Sequence, residues 1–224
     1  MKAIILAGGF GTRLQSVVKD VPKPMAMVCE RPFLEYILDK LNSFKIDEVV
    51  LSVGYKQEII IKHFRNKYKN INIIYSSEDA PLGTGGALKK ALHFLDTDEN
   101  ILVLNGDTFY NLNIEKFYKK SLLNDMSISL KPMKNFNRYG SVQVDKKRVV
   151  AFQEKNFTKE GFINAGVYCI NRNIFKNVQE DRFSFEDFLQ HYKNINYYIE
   201  DSYFVDIGVP EDYEKAQTDL KDFF

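Results

Sequence analysis

The sequence predicts an α/β fold, in which a mostly parallel, mixed sheet has helices on both faces and is followed by a smaller β-rich region. Three observations predict it. Short apolar runs alternate with amphipathic segments through the first half of the 224 residues, which is the pattern of parallel strands joined by helices. Two polar, glycine-containing turns directly follow strands of that half. From about residue 126 the segments become strand-like and long helices are few.

The elements of the first half are identified from the spacing of apolar residues. Its helical segments place apolar side chains three and four residues apart, as Phe33, Ile37 and Leu41 do. Its strand segments are short and rich in β-branched residues. Strands are therefore predicted at 2–7, 48–53, 71–76 and 100–104, and helices at 33–44, 56–67 and 84–95.

The second half is predicted to be strands with two later helices. Pro210 opens the last helix at a position where proline is favoured. No internal repeat or flexible linker divides the chain, and its length suits one domain. The expected strands are 126–131, 140–145, 148–154 and 163–170, and the expected helices are 184–192 and 210–222.

The glycine-rich turn after the first strand, Gly8–Arg13, is the most informative motif. Glycine lets backbone N–H groups crowd around a phosphate, because it has no Cβ and tolerates positive φ. Arg13 and Lys23, the latter between two prolines, bring positive charge to the same place. The chain has no Gly-Lys-Ser or Gly-Lys-Thr, and Leu14 stands where a dinucleotide fingerprint needs a small residue. The turn alone could be a plain tight turn, but with these charges it predicts a nucleoside triphosphate site.

A second motif, Asn105-Gly106-Asp107, follows the strand predicted at 100–104. The carboxyl ends of parallel strands meet at one edge of a sheet, and ligands bind there. We therefore expect this motif and the glycine turn to lie close together. Taken alone, Asp107 would be interpreted as an aspartate that caps a turn.

Six ordered motifs along nearly the whole chain resemble those of the sugar-phosphate nucleotidyltransferases. One position departs from the pattern, since many relatives have proline where this chain has Ser16. The matching segments are Leu6–Leu14 with Pro22–Met25, Pro81–Leu88, Leu104–Asp107, Phe152–Lys155, Asn164–Tyr168 and Asp206–Tyr213.

The resemblance implies a fold and a reaction. The fold would be the Rossmann-like nucleotide-diphospho-sugar transferase fold with a small β-rich sugar-binding lobe. It would form one domain over 1–224, with a nucleotide-binding half at about 1–125 and a sugar-phosphate-binding half at about 126–224. Within the family the chain looks like a D-glycero-D-manno-heptose 1-phosphate guanylyltransferase. Such an enzyme joins GTP and the heptose 1-phosphate with Mg²⁺ to give GDP-heptose and pyrophosphate, for bacterial surface polysaccharides.

The resemblance also implies roles for individual residues. Arg13 would clamp the departing pyrophosphate and Lys23 would neutralise the α-phosphate, so both are expected to be catalytic. Asp107 and Asp206 would bind Mg²⁺, which prefers one or two carboxylates with phosphates and waters. The nucleotide-binding residues would be Leu6, Ala7, Gly8, Gly9, Gly11, Thr12, Arg13, Lys23, Glu78, Pro81, Gly83 and Thr84. The sugar-phosphate-binding residues would be Asp107, Gly140, Glu154, Lys155 and Asn164.

Glu78, five residues before Gly83, bears on the choice of nucleotide. A carboxylate only accepts hydrogen bonds. Guanine offers two adjacent donors, N1–H and N2–H, whereas uracil and thymine present one N–H between two carbonyl oxygens. Glu78 therefore favours GTP, unless it is simply solvated. A UTP- or dTTP-dependent hexose 1-phosphate transferase remains the alternative.

The bulk composition excludes several other classes. Lys and Arg number 31 against 30 Asp and Glu, which argues against a nucleic-acid or anionic-membrane partner. No apolar run approaches the roughly 20 residues needed to span a bilayer. Cys29 and Cys169 lie far apart, so neither a disulfide framework nor a zinc site is supported. We expect a cytoplasmic protein, and an aromatic content of 14% is compatible with a homodimer.

Two other classes of protein fit the sequence less well. A non-catalytic nucleotide sensor on the same fold would usually lack one of the catalytic charges, and all of them are present here. A metal-dependent glycosyltransferase would need an Asp-x-Asp after a strand, and Asp107-Thr108-Phe109 does not match.

Overall fold

The computed structural model of the protein describes residues 1–14, 17–221 and 223. Ser16, the position that departs from the motif pattern, and the side chain of Thr12 lie outside the described part. No helix within these ranges is long and apolar enough to cross a membrane.

Among the described residues, strands and helices alternate along the first half of the chain, and strands predominate in the second half. The strands are β1 (Lys2–Leu6), β2 (Met27–Val28), β3 (Arg31–Pro32), β4 (Glu48–Val53), β5 (Lys67–Tyr68), β6 (Ile71–Ser77), β7 (Ile101–Asn105), β8 (Thr108–Tyr110), β9 (Met126–Phe136), β10 (Gly140–Asp145), β11 (Arg148–Lys155), β12 (Thr158–Ile170), β13 (Asn196–Ile199) and β14 (Phe204–Asp206). The helices are α1 (Phe33–Ser43), α2 (Gln57–Phe64), α3 (Gly83–Leu92), α4 (Ile114–Ser121), α5 (Phe185–His191) and α6 (Pro210–Asp219).

The central sheet is mixed, with the strand order β10-β11-β13-β9-β12-β7-β1-β4-β6-β5. Strands β7, β1, β4 and β6 pair in parallel. Beyond β7, strand β12 joins antiparallel, and most of the remaining second-half strands also pair antiparallel. The β-rich second half therefore continues the same sheet. The predicted α/β fold class is confirmed.

Helices cover both faces of the parallel strands, which explains their nearly continuous apolar sequences. In β1, Ala3 and Ile5 belong to one buried cluster and Ile4 belongs to the other. The first cluster includes the apolar face of α1, and the second includes Leu88 and neighbouring residues of α3. Each fully buried aliphatic side chain contributes on the order of 1.5–3 kcal/mol to folding. This double burial fixes the edge of the sheet from which the functional turns extend.

Helix α4 and the full lengths of β9 and β12 were not predicted. Helix α4 is short and rich in charge, and the side chain of Asn113 caps it by accepting a hydrogen bond from the N–H of Lys116 at 3.0 Å. Strands β9 and β12 extend beyond their apolar runs because they pair with each other from Met126–Ile170 to Phe136–Thr158. Pairing between strands, which local patterns do not show, sets these lengths.

A buried carboxylate fastens α1 to the edge of the sheet. Asp39, whose side chain is 4% exposed, accepts hydrogen bonds from Arg31 at 2.6 Å, from Tyr68 at 2.9 Å and from Lys69. Burial alone would raise the pKa of Asp39. The hydrogen bonds from Lys69, Arg31 and Tyr68 outweigh burial and hold this pKa below its usual value.

Asp39→Asn is expected to destabilise the protein by about 2 kcal/mol at pH 7, because it removes the counter-charge of Arg31 and Lys69, whose side chains are 29% and 52% exposed, and weakens the hydrogen bonds that the buried Asp39 accepts. A carboxyl group with a lowered folded-state pKa stabilises above its unfolded pKa of about 4 and loses that contribution as the pH falls through the folded pKa. Urea unfolding at pH 7 and at lower pH should therefore show the difference between wild type and variant shrinking below about pH 4.

The control is Asp47→Asn, which removes an exposed carboxylate paired with the N-terminal ammonium at 3.3 Å. Its stability should stay within about 0.5 kcal/mol of wild type. A difference between wild type and Asp39→Asn that does not change with pH would contradict the role given to the Asp39 charge.

Candidate active site

A cavity of about 590 Å³ lies at the carboxyl ends of the parallel strands. Residues at or just beyond the ends of β1, β4, β6 and β7 line it, among them Ala7, Gly54, Glu78 and Asp107. The glycine turn and the Asn-Gly-Asp turn thus meet at one edge of the sheet, as their positions in the sequence predicted.

The glycine turn forms one wall of this cavity. Gly11 has a φ of +60°, and a Cβ there would lie 3.0 Å from the Cβ of Lys23. No atom lies within 4 Å of the Cβ position of Gly9, so its backbone is open to the cavity. Glycine is needed at Gly11 by conformation and contact, and at Gly9 it leaves room for a ligand.

Lys23 lies between two carboxylates. Its Nζ is 2.5 Å from Oδ2 of Asp107 and 3.5 Å from Oδ1 of Asp206, and its side chain is only 10% exposed. The Lys23–Met25 segment is a short 3₁₀ helix with Pro24 and Met25 buried. The rigid prolines and this burial hold the ammonium in one place.

The short pair β8–β14 brings the two carboxylates together across 99 residues of sequence. Asp206 pairs with Thr108 in the antiparallel register, and the N–H of Ile207 donates to the carbonyl of Asp107 at 3.0 Å. The backbone ladder, not contact between the side chains, therefore sets the distance between these like charges.

Asp107 and Asp206 are like charges that repel each other, and Lys23 offsets part of that repulsion. Burial raises the pKa of Asp206, the charge of Asp107 raises it further, and Lys23 opposes both. Oδ1 of Asp206 is buried and has no hydrogen-bond partner within the described ranges. Among the described residues no group of three or more His, Cys, Asp or Glu converges. Two carboxylates, one of which has a buried oxygen that accepts no hydrogen bond from any described residue and lies 3.5 Å from the Lys23 ammonium, fit a hard divalent cation whose other ligands are phosphate oxygens and water.

A second cavity of about 280 Å³ adjoins the first. Gly140, Glu154, Lys155, Asn164 and Asp206 line it. The shared lining residues of the two cavities are Arg13, Glu186 and Gly208. Neither Arg13 nor Lys155 has an ion-pair partner among the described residues.

Two of the residues predicted to bind the sugar phosphate also have structural contacts. A Cβ at Gly140 would lie 2.5 Å from the carbonyl oxygen of Gln153, so the approach of β10 to β11 requires glycine. The amide of Asn164 donates to the hydroxyl of Tyr168 at 2.9 Å and accepts from the N–H of Gly166 at 3.1 Å. These bonds shape the irregular part of β12 and limit what Asn164 can still offer a ligand.

The predicted base loop lines the first cavity with Pro81, Gly83 and Thr84. Oε2 of Glu78 accepts from the N–H of Leu82 at 3.0 Å, so one carboxylate oxygen holds the loop. The other oxygen would be 2.8 Å from a Cβ at Gly8. Glu78 is therefore partly structural, which its position in the sequence did not predict.

Apart from Thr12, whose side chain lies outside the described part, the residues that were predicted for the site all line one cavity or the other. Leu6, Gly8 and Asp107 lie in the first cavity. Asp107 had been predicted for both the cation and the sugar phosphate, but it does not line the second cavity.

Several lining residues were not predicted. Phe10 and Tyr55 form a tilted aromatic pair, with ring centroids 5.4 Å apart, at the first cavity. Their positions, inside the glycine turn and just beyond strand β4, were the available signal. Arg138 lines the second cavity and forms an ion pair with Asp212. Glu186 stands on a predicted helix, and no sequence motif singled it out.

Comparison with known proteins gives a consistent result. The family model described as nucleotidyl transferase matches residues 2–222. The D-glycero-alpha-D-manno-heptose 1-phosphate guanylyltransferase of Aneurinibacillus thermoaerophilus is 48% identical, over 100% of both chains. The enzyme of the same name from Campylobacter jejuni is 47% identical, over 95% of this chain and 97% of its own.

Solved structures agree in fold. HddC from Yersinia pseudotuberculosis has a TM-score of 0.91 at 38% identity, covering 98% of this chain and 99% of that chain. The same protein complexed with GMP-PN has a TM-score of 0.90. A putative glucose-1-phosphate thymidylyltransferase from Bacillus anthracis shares the fold alone, with a TM-score of 0.87 at 19% identity over 99% of this chain and 96% of that chain.

Proposed function

The chain belongs to the nucleotidyl transferase family, and we propose that it joins GTP to D-glycero-α-D-manno-heptose 1-phosphate, releasing pyrophosphate and GDP-heptose. The observation that carries the proposal is the placement of Lys23 between Asp107 and Asp206, beside the two adjoining cavities. The choice of substrates is supported by relatives of that activity, which are 47% and 48% identical over nearly their whole length.

In this proposal the first half of the chain, about 1–125, holds the nucleotide and the second half, about 126–224, holds the sugar phosphate. A phosphate oxygen of the sugar 1-phosphate attacks the α-phosphorus of GTP. The new P–O bond forms as the bond to the β-phosphate oxygen breaks, and pyrophosphate takes that electron pair. Both reactants are anionic, so charge neutralisation and alignment supply most of the catalysis.

The cationic side chains divide this task. Lys23, fixed between its two carboxylates, neutralises the region of the α-phosphate. Arg13, which faces both cavities, stabilises the departing pyrophosphate with a fork of N–H donors. Lys155 binds the phosphate of the sugar. The backbone N–H of Gly140 and the side chains of Glu154 and Asn164 contact sugar hydroxyls.

Asp107 and Asp206 would hold a Mg²⁺ ion. When bound, that ion would supply positive charge to the phosphates and help to align them. With two carboxylates from the protein, the remaining ligands of the ion would be phosphate oxygens and water. Because GTP and a sugar phosphate are both held in the cytoplasm, we propose that the reaction takes place there.

The test is a matrix of nucleoside triphosphates against sugar 1-phosphates with Mg²⁺, read by pyrophosphate release. GTP with the heptose 1-phosphate should give the highest kcat/KM, by about 100-fold or more over UTP and dTTP, because guanine donors would be matched by acceptors. Equal turnover of UTP and GTP would refute the guanine assignment. Preference for a hexose 1-phosphate would refute the sugar assignment.

One arm of the matrix examines Glu78. In Glu78→Gln the amide oxygen can still accept from the N–H of Leu82, but the other oxygen becomes a donor that opposes the guanine donors. We expect kcat/KM for GTP to fall about 10- to 100-fold. ITP, which lacks the 2-amino group, is the control substrate. Its kcat/KM should fall less than that of GTP. Equal losses with GTP and ITP would assign Glu78 to the loop alone.

A further inference from the structure

Glu186 lies where the two cavities meet, and it belongs to none of the motifs. It stands in the first turn of α5 and lines both the cavity with the glycine turn and the cavity with Lys155. Among the described residues, Arg13 and Gly208 also line both cavities. Glu186 is therefore the shared lining residue whose side chain can accept hydrogen bonds but cannot donate them.

The backbone before Glu186 is tied to the base loop. The carbonyl of Phe183 accepts from the N–H of Gly85 at 3.0 Å, and the N–H of Phe183 donates to the carbonyl of Leu82 at 3.0 Å. The N–H of Phe185 donates to Oγ1 of Thr84 at 2.8 Å. These bonds fix α5, which comes from the second half of the chain, against a loop of the first half.

Two glycines of the base loop serve this attachment. A Cβ at Gly85 would lie 2.2 Å from the ring of Phe183, and a Cβ at Gly86 would lie 2.1 Å from the carbonyl oxygen of Asp181. Any larger residue would push the segment before α5 away from the loop. These glycines thus set the position of Glu186 relative to both cavities.

One oxygen of Glu186 is used within the protein and the other is not. Oε2 accepts from Oγ1 of Thr84 at 2.7 Å and from Oγ of Ser184 at 3.0 Å. Within the described part of the chain, Oε1 accepts no hydrogen bond and the carboxylate forms no ion pair. Phosphates would repel this oxygen, whereas a hydroxyl group would satisfy it.

The surroundings of Glu186 point to hydroxyl groups. The hydroxyl of Tyr168 accepts from the amide of Asn164, the predicted sugar ligand, at 2.9 Å. The ring of Tyr168 packs edge-on against that of Phe185, with centroids 5.0 Å apart, and Phe185 directly precedes Glu186 in the chain. On its other side Glu186 bonds Thr84 of the predicted base loop. Sugar hydroxyls and ribose hydroxyls are the neutral donors of the two substrates.

We propose that Glu186 is a specificity-determining residue that accepts a hydrogen bond from a substrate hydroxyl where the two cavities meet, either on the ribose of the nucleotide or on the sugar of the sugar phosphate. The proposal rests on the proposed function. The competing explanation is purely structural, since an acidic residue in the first turn of a helix is favourable there.

The experiment compares wild type and Glu186→Ala on substrates that each lack one hydroxyl. The nucleotides are GTP, 2′-deoxy-GTP and 3′-deoxy-GTP, and the sugars are the heptose 1-phosphate and its monodeoxy analogues. Glu186→Ala should lower kcat/KM about 10- to 100-fold on the complete pair, the range expected for a hydrogen bond to a charged group. For wild type, one analogue should lower kcat/KM by the same factor as Glu186→Ala does. For the variant, that analogue should cause no further decrease. The identity of that analogue assigns the hydroxyl to the ribose or to the sugar.

The matched control is Asp187→Asn, which removes the neighbouring charge on the same helix but lines neither cavity. It should keep the wild-type pattern across the analogues. If Glu186→Ala lowers kcat/KM by the same factor for every analogue, the proposal is overturned and the role of Glu186 is structural. Calorimetric binding of each analogue measures the same coupling without turnover. If wild type turned over no substrate pair, the proposed function would fail, and binding would still decide the role of Glu186.

Discussion

Asp107→Asn is expected to lower kcat by about 10³-fold or more while the protein stays folded. Asparagine has the same shape, but it is neutral and a poor ligand for a hard cation. It would also remove the 2.5 Å ion pair with Lys23, and the ammonium would then be free to move toward Asp206. Single-turnover pyrophosphate release over a series of Mg²⁺ concentrations measures the loss, and urea unfolding measures the stability.

The control for this change is Asp201→Asn. Asp201 also pairs with a lysine, Lys131, at 2.7 Å, but it lines neither cavity. Its kcat should stay within about twofold of wild type, since exposed ion pairs contribute little. A folded Asp107→Asn protein with a near-wild-type rate would remove Asp107 from the mechanism.

The sequence predicted the part of the site that depends on strand ends. Strands β1, β4, β6 and β7 are apolar runs long enough to be recognised, and parallel strands place their following turns at one edge. Gly8–Arg13 and Asp107 could therefore be placed together without coordinates. The outcome is the first cavity, which both turns line.

The prediction that Asp107 and Asp206 lie together depended instead on the family resemblance. Strands β8 and β14 have three residues each, too few for an alternating pattern to stand out. Nothing local indicates that these strands pair or that Lys23 lies between the two carboxylates. Contacts between short segments far apart in sequence are properties of the assembled fold.

Glu186 is a further residue whose place in the site the sequence could not predict. Its helix was predicted at 184–192, and the residue looks like an ordinary acidic residue of a first turn. Its position at both cavities comes from backbone bonds between Phe183 and the base loop, and from glycines whose purpose is contact with a distant segment. The glycines of Pro81–Leu88 could be recognised as a motif, but their partner could not.

Lys23→Met tests the other half of the charge arrangement and is expected to lower kcat by about 10²- to 10³-fold. Methionine keeps much of the buried stem and removes the ammonium. Asp107 and Asp206 would then face each other without the cation that now lies between them. A divalent cation should substitute for the lost charge, so Mg²⁺ should raise the urea midpoint of Lys23→Met more than that of wild type.

The control is Lys131→Met, which removes a similarly covered ammonium, 16% exposed against 10% for Lys23, away from both cavities. Mg²⁺ should affect its stability no more than that of wild type. The two measurements on Lys23→Met separate two claims, because the rate reports on the ammonium and the Mg²⁺ effect reports on the carboxylates. An unchanged rate would exclude Lys23 from catalysis. An Mg²⁺ effect equal to that of wild type would mean that the divalent cation does not replace the charge of Lys23, and no Mg²⁺ effect in either protein would mean that Asp107 and Asp206 do not form a cation site.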